Sequence, residues 1–269
     1  MVVTAVVAIR NEEAYLANCL RHLARNGIDF AIVDNGSTDA SADIYRRGEF
    51  RANLVEVRHL PFDGTFSLVE QLRCKTEIIE QLATDWVIHV DADEIMHSYR
   101  EGETLNDALT RVAAGGWNAT NFDEFVFLPI EHDYVVDAHA PQALEHYYFF
   151  EPRSPRLMRA WQKSAGLTMI GHGGHLLSGP DLRLADERFA LRHYLFRDQA
   201  HAFEKYPVRS FAPDELERGW HRARAGHPAH AFVFPPAAAL KRIVPPNARA
   251  LDRSEPWTQH FWQRTAPTR

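Results

Sequence analysis

A chain of 269 residues, 45% hydrophobic and 25% charged, has the make-up of a globular protein and the length for one large domain or for a domain with an extension. Its net charge of −6 argues against nucleic acid as the main partner, because binding a phosphate backbone needs a positive field. The charge is uneven: residues 1–211 carry 21 Lys and Arg against 31 Asp and Glu, and residues 212–269 carry 9 against 5.

The first hundred residues alternate strand and helix signals. Residues 2–9 are a valine-rich apolar run, the pattern of a strand buried on both faces. The run is too short to span a membrane, and it has no basic leader or cleavage site. Asn11 is expected to cap a helix with Glu12 and Glu13 in its first turn; Leu16, Cys19, Leu20 and Leu23 recur at helical spacing and Gly27 ends the pattern. Residues 30–33 predict a second strand stopped by Asp34-Asn35-Gly36, and Thr38 is expected to cap a second helix ending at Gly48. A third strand falls at 54–57, a longer helix at 66–83, and a fourth strand at 86–90 that runs into Asp91-Ala92-Asp93-Glu94.

Beyond residue 100 the pattern loosens. A helix is expected at 105–112 and a strand at 117–128, followed by irregular aromatic and proline-rich loops to 165. A glycine-rich turn at 171–175 and a late strand at 189–196 come next. Eight of the fifteen prolines lie beyond Phe211, so residues 212–269 are expected to be a basic, Pro-rich extension, helical in part and loosely packed in part, on a body of 1–211.

This alternation implies an α/β fold, a Rossmann-like, mostly parallel sheet with helices on both faces. In such sheets ligands bind beyond the carboxyl ends of the strands. Arg10-Asn11-Glu12, Asp34–Asp39 and Asp91–Glu94 each follow a strand directly, so the topology brings them to one edge. Asp91 and Asp93 put two hard carboxylates on a turn, where they can hold Mg²⁺ or Mn²⁺ with water and phosphate oxygens at the remaining positions. The same residues also serve as ordinary turn formers. Asp34 can accept a hydrogen bond from a nucleobase or ribose, or simply close its turn. The two cysteines, Cys19 and Cys74, exclude a disulfide framework and fit a reducing, cytoplasmic setting.

Ala8-Ile9-Arg10-Asn11-Glu12-Glu13, Val33 to Asp39, and Asp85-Trp86-Val87 leading to Asp91-Ala92-Asp93-Glu94 together resemble the family 2 glycosyltransferases of the GT-A fold. Residues 171–175 and Arg192 to Lys205 resemble the late part of a soluble bacterial subgroup. The resemblance divides the body into a nucleotide-sugar half, 1–96, and a smaller acceptor-side half, 97–211. It implies a donor that is a nucleoside diphosphate sugar, UDP-sugar favoured, and an unidentified glycan, lipid-linked or protein acceptor.

The implied donor contacts are Ala8, Arg10, Asn11, Asp34, Lys75, Asp91, Ala92 and Asp93. Asp91 and Asp93 would hold the metal, with His193 completing the shell. Transfer with inversion needs a general base, for which Asp123 and Glu124 are the candidates. Arg73 and Lys75 are expected to reach the diphosphate or to be surface charges, and Arg156 and Arg159 to meet an anionic acceptor or solvent. His172 and His175 would close over the donor phosphates or belong to a plain surface turn. Glu-Asp and Gln-x-x-Arg-Trp signatures are not evident, so the resemblance does not extend to the processive synthases. Three other readings compete: a haloacid-dehalogenase-type phosphatase with Asp91 as nucleophile, a sugar nucleotidylyltransferase, and a binding module without turnover. The first wants its DxD at the opening strand, and the second wants glycines where Arg10–Glu13 stand.

Overall fold

The computed structural model describes residues 1–130, 143–152, 157–221, 224–245 and 248–264. The expected alternation is present as β1 (Val3–Ile9), α1 (Leu16–Arg25), β2 (Asp29–Asp34), α2 (Ser41–Tyr45), β3 (Leu54–His59), α3 (Leu68–Gln81) and β4 (Trp86–Asp91). The four strands are parallel in the order β3-β2-β1-β4. Along β1, Val3, Ala5, Val7 and Ile9 pack in one apolar cluster with Leu16, Leu20 and Leu23 of α1 and Ile44 of α2. Val6 packs in a second cluster with Leu72, Ile78 and Ile79 of α3. One strand feeds both faces, which is why it reads as a continuous apolar run.

The chain continues with β5 (Glu94–His97), α4 (Leu105–Ala114), β6 (Ala119–Leu128), β7 (His146–Phe150), β8 (Met158–Gln162) and β9 (Leu184–Tyr194). α5 (Gln199–Lys205), α6 (Pro213–Glu217), β10 (Lys241–Arg242) and α7 (Phe261–Arg264) follow. Here the sheet extends from β4 through β8, β6, β7 and β10 with antiparallel pairing. β9 lies parallel to β6 and antiparallel to β5. The fold is therefore the expected α/β type, parallel from β3 to β4 and mixed beyond.

Local expectations fail where side chains find distant partners. Asn11 has φ +56° and caps nothing: its Oδ1 accepts the Thr38 N–H at 2.8 Å, and α1 starts only at Leu16. Thr38 does not cap α2 either; Glu13 accepts the Ala40 N–H at 3.1 Å from across the loop. The C-terminal segment, expected to be partly loose, carries buried Phe232, Phe234, Phe261 and Trp262 that pack with Val126 and Leu128 of β6 and Tyr148 of β7. Aromatic side chains can fill a core one by one with no helical or strand period, so periodicity could not reveal this packing.

Candidate active site

The three strand-end clusters interlock. Arg10 donates to the Asn35 and Gly36 carbonyls at 2.9 and 2.6 Å, with its guanidinium 3.3 Å from the centre of the Phe62 ring. The Asn11 N–H donates to Ser37 Oγ at 3.2 Å and the Glu12 N–H to Ser41 Oγ at 2.9 Å. Two hollows open above them. A cleft of about 130 Å³ is walled by Ala8, Asp91, Asp93, Glu124, Arg159 and His193, and a wider hollow of about 420 Å³ by Asn11, Tyr15, Phe62 and His201. Arg10, Glu12, Lys205 and Arg209 border both.

Asp91 ends β4 with its side chain 45% exposed, Oδ1 3.7 Å from Lys75 Nζ and Oδ2 3.8 Å from Arg159 Nη2. Lys75 is not a surface charge. It is buried beneath Asp91 and bonded to the Val90 carbonyl at 3.2 Å and to His89 Nδ1 at 3.1 Å. Burial outweighs the pull of Asp91 and brings its pKa down to about 8. Arg159 is likewise buried and donates to Glu94 Oε1 at 2.8 Å, while burial pushes Glu94 up to about 7. These cations hold the turn from below, and Arg159 also borders the cleft.

Asp93 faces the other strand system. Its Oδ2 meets Lys205 Nζ at 2.5 Å and His193 Nε2 at 3.5 Å. The Tyr194 N–H donates to the Asp93 carbonyl at 2.8 Å, which pins β9 against this turn. His193 Nδ1 bonds Glu124 Oε1 at 2.8 Å, and β6 presents Val126 opposite His193 in register. Burial works against charge on His193, but Asp93 and Glu124 outweigh it and raise its pKa well above the ordinary value. Burial would raise Asp93, and Lys205 and His193 instead hold it well below the usual carboxylate range.

This arrangement corrects several residue assignments. Asp123 does not reach the cleft. Its carboxylate is buried between Arg188 at 2.7 Å, Arg253 at 3.1 Å and Tyr99 Oη at 2.9 Å, because β6 alternates and turns it away from Glu124. Asp34 borders neither hollow; it accepts the Ser37 N–H at 2.9 Å and the Tyr45 hydroxyl at 3.1 Å. Ala92 is buried, so its side chain meets the core. Arg73 pairs with Glu70 on the exposed face of α3, and His172 is exposed outside the cleft. His175 borders it. Arg156 lies outside the described residues. Gly174 has to be glycine: its φ is +76°, and a Cβ would stand 2.8 Å from His89 Nε2.

Glu12, Lys205, Arg209 and Arg224 also wall the cleft. Sequence reasoning brought Glu12 to the ligand edge as part of Arg10-Asn11-Glu12 and reached Lys205 only as the end of the late resemblance; Arg209 and Arg224 stand in stretches of little periodicity and had no role.

Residues 4–110, from β1 into α4, match the family model of Glycosyl transferase family 2. All three strand-end clusters lie inside the matched segment. Among curated proteins none matches the chain. Solved structures similar to it include Staphylococcus aureus TarS 1–349 in complex with UDP-GlcNAc, 15% identical over 75% of this chain and 60% of that one, with a TM-score of 0.43. The mannosyltransferase PcManGT from Pyrobaculum calidifontis, in complex with GDP-Man and Mn²⁺, is 15% identical over 76% of this chain and 60% of that one, with a TM-score of 0.43. Glucosyl-3-phosphoglycerate synthase from Mycobacterium tuberculosis, in complex with Mg²⁺ and UDP, is 14% identical over 74% and 73%, with a TM-score of 0.39. The chain spans 36% of the length of one TarS structure and 60% of the shorter TarS 1–349. Among the described residues no helix is long and apolar enough to cross a membrane.

Proposed function

We propose that the chain moves a glycosyl group from a nucleoside diphosphate sugar, a UDP-sugar in preference, to a hydroxyl of a glycan, lipid-linked or protein acceptor, with inversion and with Mn²⁺ or Mg²⁺. The observation that carries this reading is the meeting of Asp93 Oδ2 and His193 Nε2, 3.5 Å apart, with Glu124 bonded to the far nitrogen of the imidazole. A carboxylate behind a histidine fixes its tautomer and orientation for a cation. Among the described residues no three such side chains are already gathered as a shell. An ion here would take diphosphate oxygens and water at its other positions. Asp93 and His193 would hold it, with Asp91 half-exposed beside them. When bound, the ion would supply Lewis-acid stabilisation of the diphosphate leaving group.

The remaining work falls to the chain itself. The Ala8–Arg10 backbone and Asn11 border the space for the nucleoside, and Lys75 and Arg159 keep the Asp91 turn in place from below. Of the two candidate bases, Glu124 alone borders the cleft, and we assign the acceptor's proton to it. The hydroxyl oxygen bonds to the anomeric carbon, the bond to the β-phosphate oxygen breaks with its electron pair, and the proton passes to Glu124. The test is release of nucleoside diphosphate from a panel of nucleotide-sugars, with water as acceptor. Release that depends on Mn²⁺ and disappears in His193→Ala supports the reading, and equal rates in both proteins would sink it.

A further inference from the structure

A segment outside the family match brings two arginines to the cleft. Arg209 and Arg224 both border it, half-buried, yet among the described residues neither guanidinium makes a hydrogen bond or an ion pair. Each lies instead over an aromatic ring, Arg209 5.0 Å from the centre of Phe66 and Arg224 5.2 Å from that of Tyr206. Burial pulls Arg209 below its ordinary pKa against the attraction of Glu12, and Arg224 adds to the lowering. Two guanidiniums that face one cleft without a hydrogen-bonded carboxylate can be served together by an anion bound there.

Their mount is firm. The Phe66 N–H donates to the Ser210 carbonyl at 2.9 Å and the Ala212 N–H to the Phe66 carbonyl at 3.0 Å, which ties Arg209 to the start of α3. Glu215 of α6 is buried and accepts from Ser67 Oγ at 3.0 Å, from the Val69 N–H at 2.7 Å and from His221 Nε2 at 2.8 Å. The Arg224 N–H in turn donates to the His221 carbonyl at 2.7 Å. The place is also informative, because Arg209 and Lys205 stand at the border shared by the two hollows. A ligand that occupies both hollows has to pass these two cations.

We propose that Arg209 and Arg224, with Lys205, form a phosphoryl-binding subsite at the waist of the cleft. The subsite rests on the glycosyltransferase reading for its preferred occupant, the diphosphate of the donor. Several oxygens on tetrahedral centres can serve both guanidinium forks at once, while Lys205, held by Asp93 at 2.5 Å, adds its charge beside them. The C-terminal segment is then part of the donor site, and not an appendage to it.

Titration calorimetry with UDP, uridine and inorganic phosphate, at low and high salt, tests this on the full chain. The proteins are the wild type, Arg209→Gln, Arg224→Gln and the double variant. Each guanidinium has only its aromatic ring as a partner among the described residues, so the variants should stay folded, with a small fall in Tm. Arg209→Lys and Arg224→Lys serve as second variants that keep the charge and lose only the fork. The expected result is a loss of UDP affinity of about tenfold or more in the double variant, the worth of one charge-assisted hydrogen bond, with partial recovery by lysine. Uridine affinity should stay the same and the salt dependence of UDP binding should flatten. Unchanged UDP affinity, with loss of phosphate binding to the UDP-saturated protein, would move the subsite to a phosphoryl group of the acceptor. A wild type that binds phosphate through these arginines but no nucleoside diphosphate would keep the subsite and remove the transferase reading. No change for any ligand in the double variant overturns the proposal.

Discussion

Replacing Glu215 with alanine should loosen the C-terminal segment from the start of α3. Glu215 has no exposed surface, and its carboxylate serves Ser67 Oγ, the Val69 N–H and His221 Nε2 together. Burial and Arg224 lower the pKa of His221, so near pH 7 this contact is a neutral imidazole donating to a carboxylate. Truncating one member of such a buried, charge-assisted set costs about 3 kcal/mol. α3 also loses an anion at the positive end of its dipole, worth about 0.5 kcal/mol. At roughly 2–4 °C per kcal/mol for a chain of this size, Tm should fall by about 7–14 °C. Thermal unfolding followed by circular dichroism reads this directly, and limited proteolysis should show new cleavage between residues 206 and 224. Glu215→Gln keeps an acceptor oxygen and should recover part of the loss. A fall under about 2 °C for the alanine variant, with no new cleavage, would refute the idea of a latch.

Four further outcomes follow from particular contacts. Burial would raise the pKa of Glu215, but the Val69 N–H, His221 and Ser67 together outweigh it and hold the folded value below the ordinary 4.5. Its contribution to stability is therefore fully present above pH 4.5 and lost as pH falls through the folded value, so wild-type Tm should drop more steeply there than that of Glu215→Gln; parallel profiles would contradict this. Asp123→Ala leaves Arg188, Arg253 and Tyr99 without their common partner and should cost about 3 kcal/mol, while UDP affinity stays within experimental error. Glu124→Gln can still accept from His193 Nδ1, so Mn²⁺ affinity should survive while turnover falls by about 10²-fold or more; Glu124→Ala should lose both. Equal Mn²⁺ affinities in the two variants would deny Glu124 its hold on His193. Gly174→Ala should lower stability by about 1–3 kcal/mol, since its φ is +76° and the new Cβ would meet His89, and an unchanged Tm would rule out that close approach.

The nucleotide half was legible because its physics is local and repetitive. The apolar run of β1 has one dominant reading, and three polar clusters after three strands have to meet at one edge. The caps were misread because loop side chains here bond across the sheet edge. Thus Asn11 serves Thr38 and Glu13 serves Ala40, contacts separated by 27 residues in each case. Asp123 and Glu124 could not be told apart in the sequence, yet a strand alternates, and one faces the cleft while the other is sealed among arginines. Lys75 reads as a diphosphate contact or a surface charge, and the fold instead buries it beneath Asp91, outside the cleft wall. The role of Arg209 and Arg224 depends on the segment around α6 returning to α3 through Glu215. That contact joins residues 146 apart, and no local pattern announces it.

The central claim is that Asp91 and Asp93 mark a metal-dependent nucleoside diphosphate site. Calorimetric titration of UDP and GDP into the wild type and Asp93→Ala, with and without Mn²⁺, tests it most directly. At least one nucleoside diphosphate should bind the wild type more tightly with Mn²⁺, and that dependence should vanish in Asp93→Ala while its circular dichroism spectrum stays unchanged. Affinity that is indifferent to Mn²⁺ in both proteins, or no binding by the wild type, would contradict the account.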